Sequence, residues 1–111
     1  MRKIPIKMRE EMNADPYYKT CSRLADGGCG GRITWEHAVI FAGRQLNEKW
    51  AIIPMCERHH GVGTYQDGGI LDKQRNLHIA LNRATDAELE AISKSIDYKQ
   101  LRDRLNVEYG D

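Results

Sequence analysis

Residues 56–60 read Cys56-Glu57-Arg58-His59-His60. Two earlier stretches, Cys21 to Cys29 and Trp35-Glu36-His37, hold the other two cysteines of the chain and the one histidine that precedes Cys56. Three cysteines cannot all pair within one chain, and nothing else in the sequence points to secretion, so thiolate metal ligation is the better reading. A structural zinc takes four soft or borderline ligands, usually two from each of two knuckles, and Cys21, Cys29, Cys56 and His59 make up that number. Asp26-Gly27-Gly28 and Gly30-Gly31 bracket Cys29 with turn chemistry, so Cys21 to Cys29 is expected to form a tight loop. No breaker lies between Cys56 and Gly61, which predicts a brief helix. On it, His59 and His60 would stand about 100° apart, one closing the zinc site and the other facing elsewhere.

The flanking sequence supplies strands first and helices later. Arg32 to Phe41 reads as one strand from its Ile, Thr, Trp and Val content, with Ile33, Trp35, His37 and Val39 on one face. A second strand is expected from Trp50 to Ile53, ending at Pro54, with Ala42 to Asn47 as a polar loop between the two. Upstream, Lys7 to Ala14 suits a short helix stopped by Asp15-Pro16. Four glycines among residues 61–69 predict a loop that is mobile or folded around a ligand. Leu71, Leu77, Ile79, Ala80 and Leu81 suit one amphipathic helix beginning near Asp72. Thr85 with Glu88 forms a capping-box pattern for the next helix, carrying Leu89 and Ile92, and a last helix from about Asp97 would present Tyr98, Leu101 and Leu105. Residues 70–111 would therefore form a helical extension within a single α+β domain.

Composition limits what such a chain can do. At 111 residues it fits one domain and excludes a two-domain cofactor enzyme. Lys and Arg number 17 against 16 Asp and Glu, so bulk charge names no partner. The balance is uneven, however: residues 1–24 hold six basic and three acidic residues, and residues 84–111 hold four basic and seven acidic. With one Phe, two Trp and five Tyr, the apolar core must be small and a metal staple is useful. No apolar run approaches the ~20 residues of a membrane span, and the amino terminus lacks the hydrophobic segment of a signal peptide, so a soluble, cytoplasmic protein with no membrane partner is expected.

Glu36-His37 at the end of a strand, then a second strand, then a helix opening with Cys56-Glu57-Arg58-His59-His60, resembles the zinc-knuckle variety of HNH endonuclease, with its ββα-metal fold. Compact phage or prophage members are the nearest in character. The resemblance spans about residues 15–62, with His59 standing where the family has its second zinc cysteine. It implies that His37 is the general base, that His60 binds a catalytic Mg²⁺ or Mn²⁺ with Glu36 as a second ligand, and that Cys21, Cys29, Cys56 and His59 hold a structural Zn²⁺. Ala51 occupies the family's asparagine position, and Asn47 lies close enough in sequence to substitute. Adjacent residues of an ideal strand face opposite ways, so Glu36 and His37 share an ion only if the strand ends or bulges there.

The function implied is hydrolysis of DNA phosphodiester bonds by a one-metal-ion mechanism, on duplex or branched DNA. A second copy of the chain or a phage or host recombination protein would be a further partner. Two other readings stand beside it: a zinc-stabilised nucleic-acid-binding module without catalysis, and a regulatory factor using its acidic tail against a basic protein. Among the other polar residues, Arg44, Lys49 and Arg58 could grip phosphates or simply be solvated. Arg75-Asn76 and Asn82-Arg83 fit either a substrate groove or an exposed helix face, His78 fits a surface or packed position, and Trp35 and Trp50 fit a core better than a stacking platform.

Overall fold

The computed structural model describes residues 3–59 and 69–110, apart from the side chains of Asp26 and of residues 69–72. In chain order these residues form α1 (Ile6–Ala14), β1 (Ile33–His37), β2 (Ile40–Phe41), β3 (Arg44–Gln45), β4 (Ile52–Cys56), α2 (Gly69–Arg83), α3 (Asp86–Ile92) and α4 (Tyr98–Tyr109). The architecture is α+β, with two small antiparallel sheets.

The centre is the β1·β4 ribbon, in register from Ile33 opposite Cys56 to His37 opposite Ile52. Side chains alternate across a strand, and here both faces are covered. Ile53 and Met55 join Ala80, Leu81, Leu89, Tyr98 and Leu105 in a core built by the C-terminal helices, whereas Ile52 packs with Ile4, Met12 and Tyr18 from the N-terminal segment. All five residues of β4 are consequently buried, so Ile52-Ile53-Pro54-Met55-Cys56 has no polar alternation to announce it.

Pro54 does not end this strand as expected. Its carbonyl accepts a hydrogen bond from Ser22 N–H at 2.8 Å, outside the ribbon. Backbone N and C=O of one residue point to the same side in an antiparallel pair, so the proline nitrogen also faces outward and no ladder bond is lost. Trp50, expected in the strand, lies instead in a 3₁₀ turn, Lys49–Ala51, just before it.

The expected strand Arg32 to Phe41 is broken after His37. Ala38 N–H still donates to Ala51 C=O at 2.9 Å, but the chain then turns into the β2·β3 hairpin. Arg44 and Gln45, expected in a loop, are its second strand. The two connecting residues, Ala42 and Gly43, have φ of 53° and 78°. Positive φ at both central positions is what the right-handed twist of a tight two-residue hairpin demands.

Local signals placed the helices well. Asp15 takes an extended conformation after α1 and accepts from Tyr17 N–H, while Pro16 opens a 3₁₀ turn. Thr85 and Glu88 form the reciprocal capping box of α3, and Asp97 caps α4 through Lys99 and Gln100 N–H. The helix α2 begins at Gly69, ahead of the expected Asp72. Among the described residues no helix is long and apolar enough to cross a membrane.

Candidate metal centre and active site

The Cys21 segment returns toward β1 through a 3₁₀ turn, Leu24–Asp26, and through Gly27 and Gly28, both at φ near +75°. Gly31 then enters β1 at φ +83°, and a Cβ there would lie 2.9 Å from Glu57 Cβ, so only glycine lets residues 30–32 lie against residues 57–58. That contact is stitched by Glu57 N–H to Arg32 C=O at 2.9 Å and Arg58 N–H to Gly30 C=O at 3.2 Å. Cys56 is the last residue of β4, and residues 57–59 are helical, so the helical turn begins one residue later than expected.

These elements gather Cys21, Cys29, Cys56 and His59, whose ligand atoms all lie within 4.8 Å of one another. His59 Nδ1 stands 3.5 Å from Cys21 Sγ, 3.6 Å from Cys29 Sγ and 3.2 Å from Cys56 Sγ. Zinc–sulfur bonds near 2.3 Å and zinc–nitrogen bonds near 2.0–2.1 Å at tetrahedral angles put sulfur about 3.5 Å from nitrogen, so the three sulfur–nitrogen separations match the edges of a zinc tetrahedron. Arg23 N–H lies 3.4 Å from Cys21 Sγ, as expected of a backbone donor supporting a thiolate ligand.

Electrostatics favour a cation in the same place. Desolvation and the neighbouring Cys21 and Cys56 sulfurs push the Cys29 thiol up to about 11. Desolvation also pushes Cys56 up, but backbone N–H groups of Gly30 and His59, the His59 ring and Cys21 outweigh it and hold the thiol down at about 6. One thiolate forms readily and then resists the next. A divalent cation removes that conflict by balancing all three. A zinc held by all four side chains would keep no open coordination position, the arrangement of structural sites.

His37 lies at the other end of the ribbon, four residues along β1 from the Ile33–Cys56 pair, or roughly 13 Å at strand rise. It is 8% exposed. Its Nε2 is 2.7 Å from Asn47 Oδ1, and Asn47 Nδ2 donates to Lys3 C=O at 2.8 Å. A carbonyl only accepts, so Lys3 fixes which way the amide points; Asn47 then presents oxygen to His37, and Nε2 must carry the hydrogen. In the neutral ring Nδ1 is the basic nitrogen, and it is buried with no hydrogen-bond partner among the described residues. Ala51, at the resembled family's asparagine position, is fully buried in the apolar core, where an amide would have no place.

Glu36 points the other way. Its Oε2 accepts from Asn76 Nδ2 of α2, on the face of the ribbon opposite the His37 ring. The pairing spans 40 residues, and nothing local in the sequence signals it. Asn76 is buried rather than part of an exposed polar face. His60 and the glycine-rich residues 61–68 lie outside the described residues.

Other polar candidates have structural roles. Lys49 pairs with Asp15 at 3.0 Å. Arg83 stacks 3.7 Å from the Tyr17 ring centroid and donates to Tyr18 Oη at 2.7 Å. Asn82 bonds Asn106, and His78 is packed, its Nδ1 2.6 Å from Arg75 Nη1. Trp50 is core and Trp35 is partly buried against the N-terminal cluster. Arg44 and Arg58 are exposed. Comparison with known families, curated proteins and solved structures gives no match to this chain.

Proposed function

We propose that this chain is a metal-dependent endonuclease of HNH type that hydrolyses DNA phosphodiester bonds, with a ββα-metal core stapled by Zn²⁺ on Cys21, Cys29, Cys56 and His59. The observation that carries the proposal is the Asn47–His37 hydrogen bond, which puts the hydrogen of a neutral ring on Nε2 and leaves a buried Nδ1 without a hydrogen-bond partner among the described residues. A buried basic nitrogen without a donor calls for a water or ligand to meet it. In this reading Nδ1 takes a proton from the attacking water, and Asn47 positions the ring and holds its tautomer.

A Mg²⁺ or Mn²⁺ ion would neutralise charge on the scissile phosphate and the departing 3′ oxygen. His60 would hold it. Glu36 is the second ligand by resemblance, but its carboxylate is engaged by Asn76 on the opposite face of β1, so the reading depends on His60.

The test is plasmid nicking with Mg²⁺ or Mn²⁺, alongside zinc analysis. Wild type should nick, chelator should stop it, and His37→Ala should lower the rate at least 100-fold while zinc content and duplex binding persist. Absence of metal-dependent nicking by zinc-loaded wild type would overturn the proposal. The direction of Glu36 favours one second reading, a zinc-stabilised DNA-binding module, and that same result would select it if salt-dependent duplex binding remained.

A further inference from the structure

A cavity of about 560 Å³ opens between the β2·β3 hairpin and the helices α2 and α4. Val39, Leu77, Tyr98 and Leu101 give it apolar walls, and Glu36 and His37 of β1 border it. Its rim carries Lys73, which is exposed, together with Ile40 and Ile96, which are 60% and 50% exposed. Asn76, 2% exposed, also lines the cavity.

Asn76 turns this space from a packing defect into a site. An ionised carboxylate only accepts, so Glu36 fixes the amide with Nδ2 toward itself and Oδ1 away. That oxygen is buried and has no hydrogen-bond partner among the described residues. A buried carbonyl oxygen left without a donor is costly, and a ligand entering the cavity with an N–H group would relieve that cost. Apolar walls, one buried acceptor and a cationic side chain at the rim together fit a heterocycle that carries an N–H donor and a phosphate.

We propose that the cavity is a nucleobase pocket, taking one base turned out of the stack with its amino edge on Asn76 Oδ1 and its phosphate beside Lys73. Assigning the occupant to a nucleic-acid strand rests on the nuclease reading; the donor, ring and phosphate chemistry rests on the cavity alone. β1 borders the pocket with Glu36 on the pocket face and the His37 ring on the opposite face, so a base held there would anchor the strand against the ribbon that carries the proposed general base. Extruding a base exposes its edge to such readout.

The test is a ¹⁵N–¹H NMR titration of the zinc-loaded full chain with AMP and GMP. Purine riboside 5′-monophosphate, which lacks the exocyclic amino donor, and ribose 5-phosphate serve as controls. AMP or GMP should give saturable shifts at the Asn76 side-chain amide and at the backbone amides of Leu77 and Leu101. Half-saturation should rise at least fivefold for purine riboside 5′-monophosphate and for AMP with Lys73→Glu, an exposed change outside the core. No saturable shift at those groups, equal binding of the donorless purine, or ribose 5-phosphate reproducing the shifts would overturn the pocket. Nicking without nucleotide binding removes the pocket and leaves the nuclease reading standing; nucleotide binding without nicking does the reverse.

Discussion

Two side chains show how single residues carry the behaviour of this protein. Asn47 matters for the direction of its amide, which Lys3 C=O sets and which in turn sets the His37 tautomer. Asn47→Asp would keep an acceptor for Nε2–H but lose the donor to Lys3. Asp15 offers a simpler test. The Tyr17 N–H and the Lys49 ammonium hold its carboxyl below the ordinary value of 3.8. A depressed carboxylate lends stability that is complete above the unfolded value and disappears as pH falls through the folded one. Asp15→Asn should therefore leave a shallower loss of stability below about pH 4 than wild type, read as denaturant midpoint against pH. Because the carboxyl is only partly buried, added salt should narrow the difference between the two proteins.

At the scale of elements, the β2·β3 hairpin is the least orthodox piece. Its turn places Ala42 at φ 53°, the only positive φ outside glycine among the described residues. A Cβ in the left-handed region costs about 1–2 kcal/mol, and asparagine tolerates that region better than alanine. Ala42→Asn, which creates an Asn-Gly turn, should raise stability by about 0.5–1 kcal/mol in urea unfolding; an unchanged or lower midpoint would count against this account of the turn. Ala-Gly is a weak hairpin signal, which is why residues 42–47 read as a loop. The helix caps are strong signals, and Thr85, Glu88 and Asp97 do in the fold what their spacing announces.

On the scale of the whole molecule, the ribbon ends at the Cys21, Cys29, Cys56 and His59 cluster, which could hold a metal, and is covered along one face by the helices. Cys29 is exposed and the knuckle around it is mostly turn, so little apolar burial holds that end together without a metal. Binding free energy of a structural zinc becomes folding free energy, on the order of 10 kcal/mol in small zinc modules. Stripping zinc with a strong chelator, or replacing Cys56 with Ser, should lower Tm by on the order of 10 °C or more. Hydrogen exchange should accelerate first at residues 30–33 and 55–58. The amides of α2 around Ala80 and Leu81 should respond last, because their core lies among α2, α3, α4 and β4. Equal acceleration everywhere would mean that the metal centre and the helical core unfold as one unit.

Sequence by itself determined the α+β composition, the C-terminal helices and the cysteine and histidine positions that gather as a cluster able to hold a metal. The helices are written in residues a few positions apart, where propensity and capping act without help from the rest of the chain, and the cluster is written as two local pairs, Cys21 with Cys29 and Cys56 with His59, that only the fold brings together. Only the tertiary structure decided that both ribbon faces are covered, which hides β4 and lets Pro54 sit inside it. It also decided that His59 offers Nδ1 to three sulfurs, that Asn47 rather than residue 51 meets His37, and that Glu36 turns to Asn76 across 40 residues of chain. Such pairings depend on how separated segments close upon each other, and side-chain chemistry fixes them only after packing has brought the partners within reach.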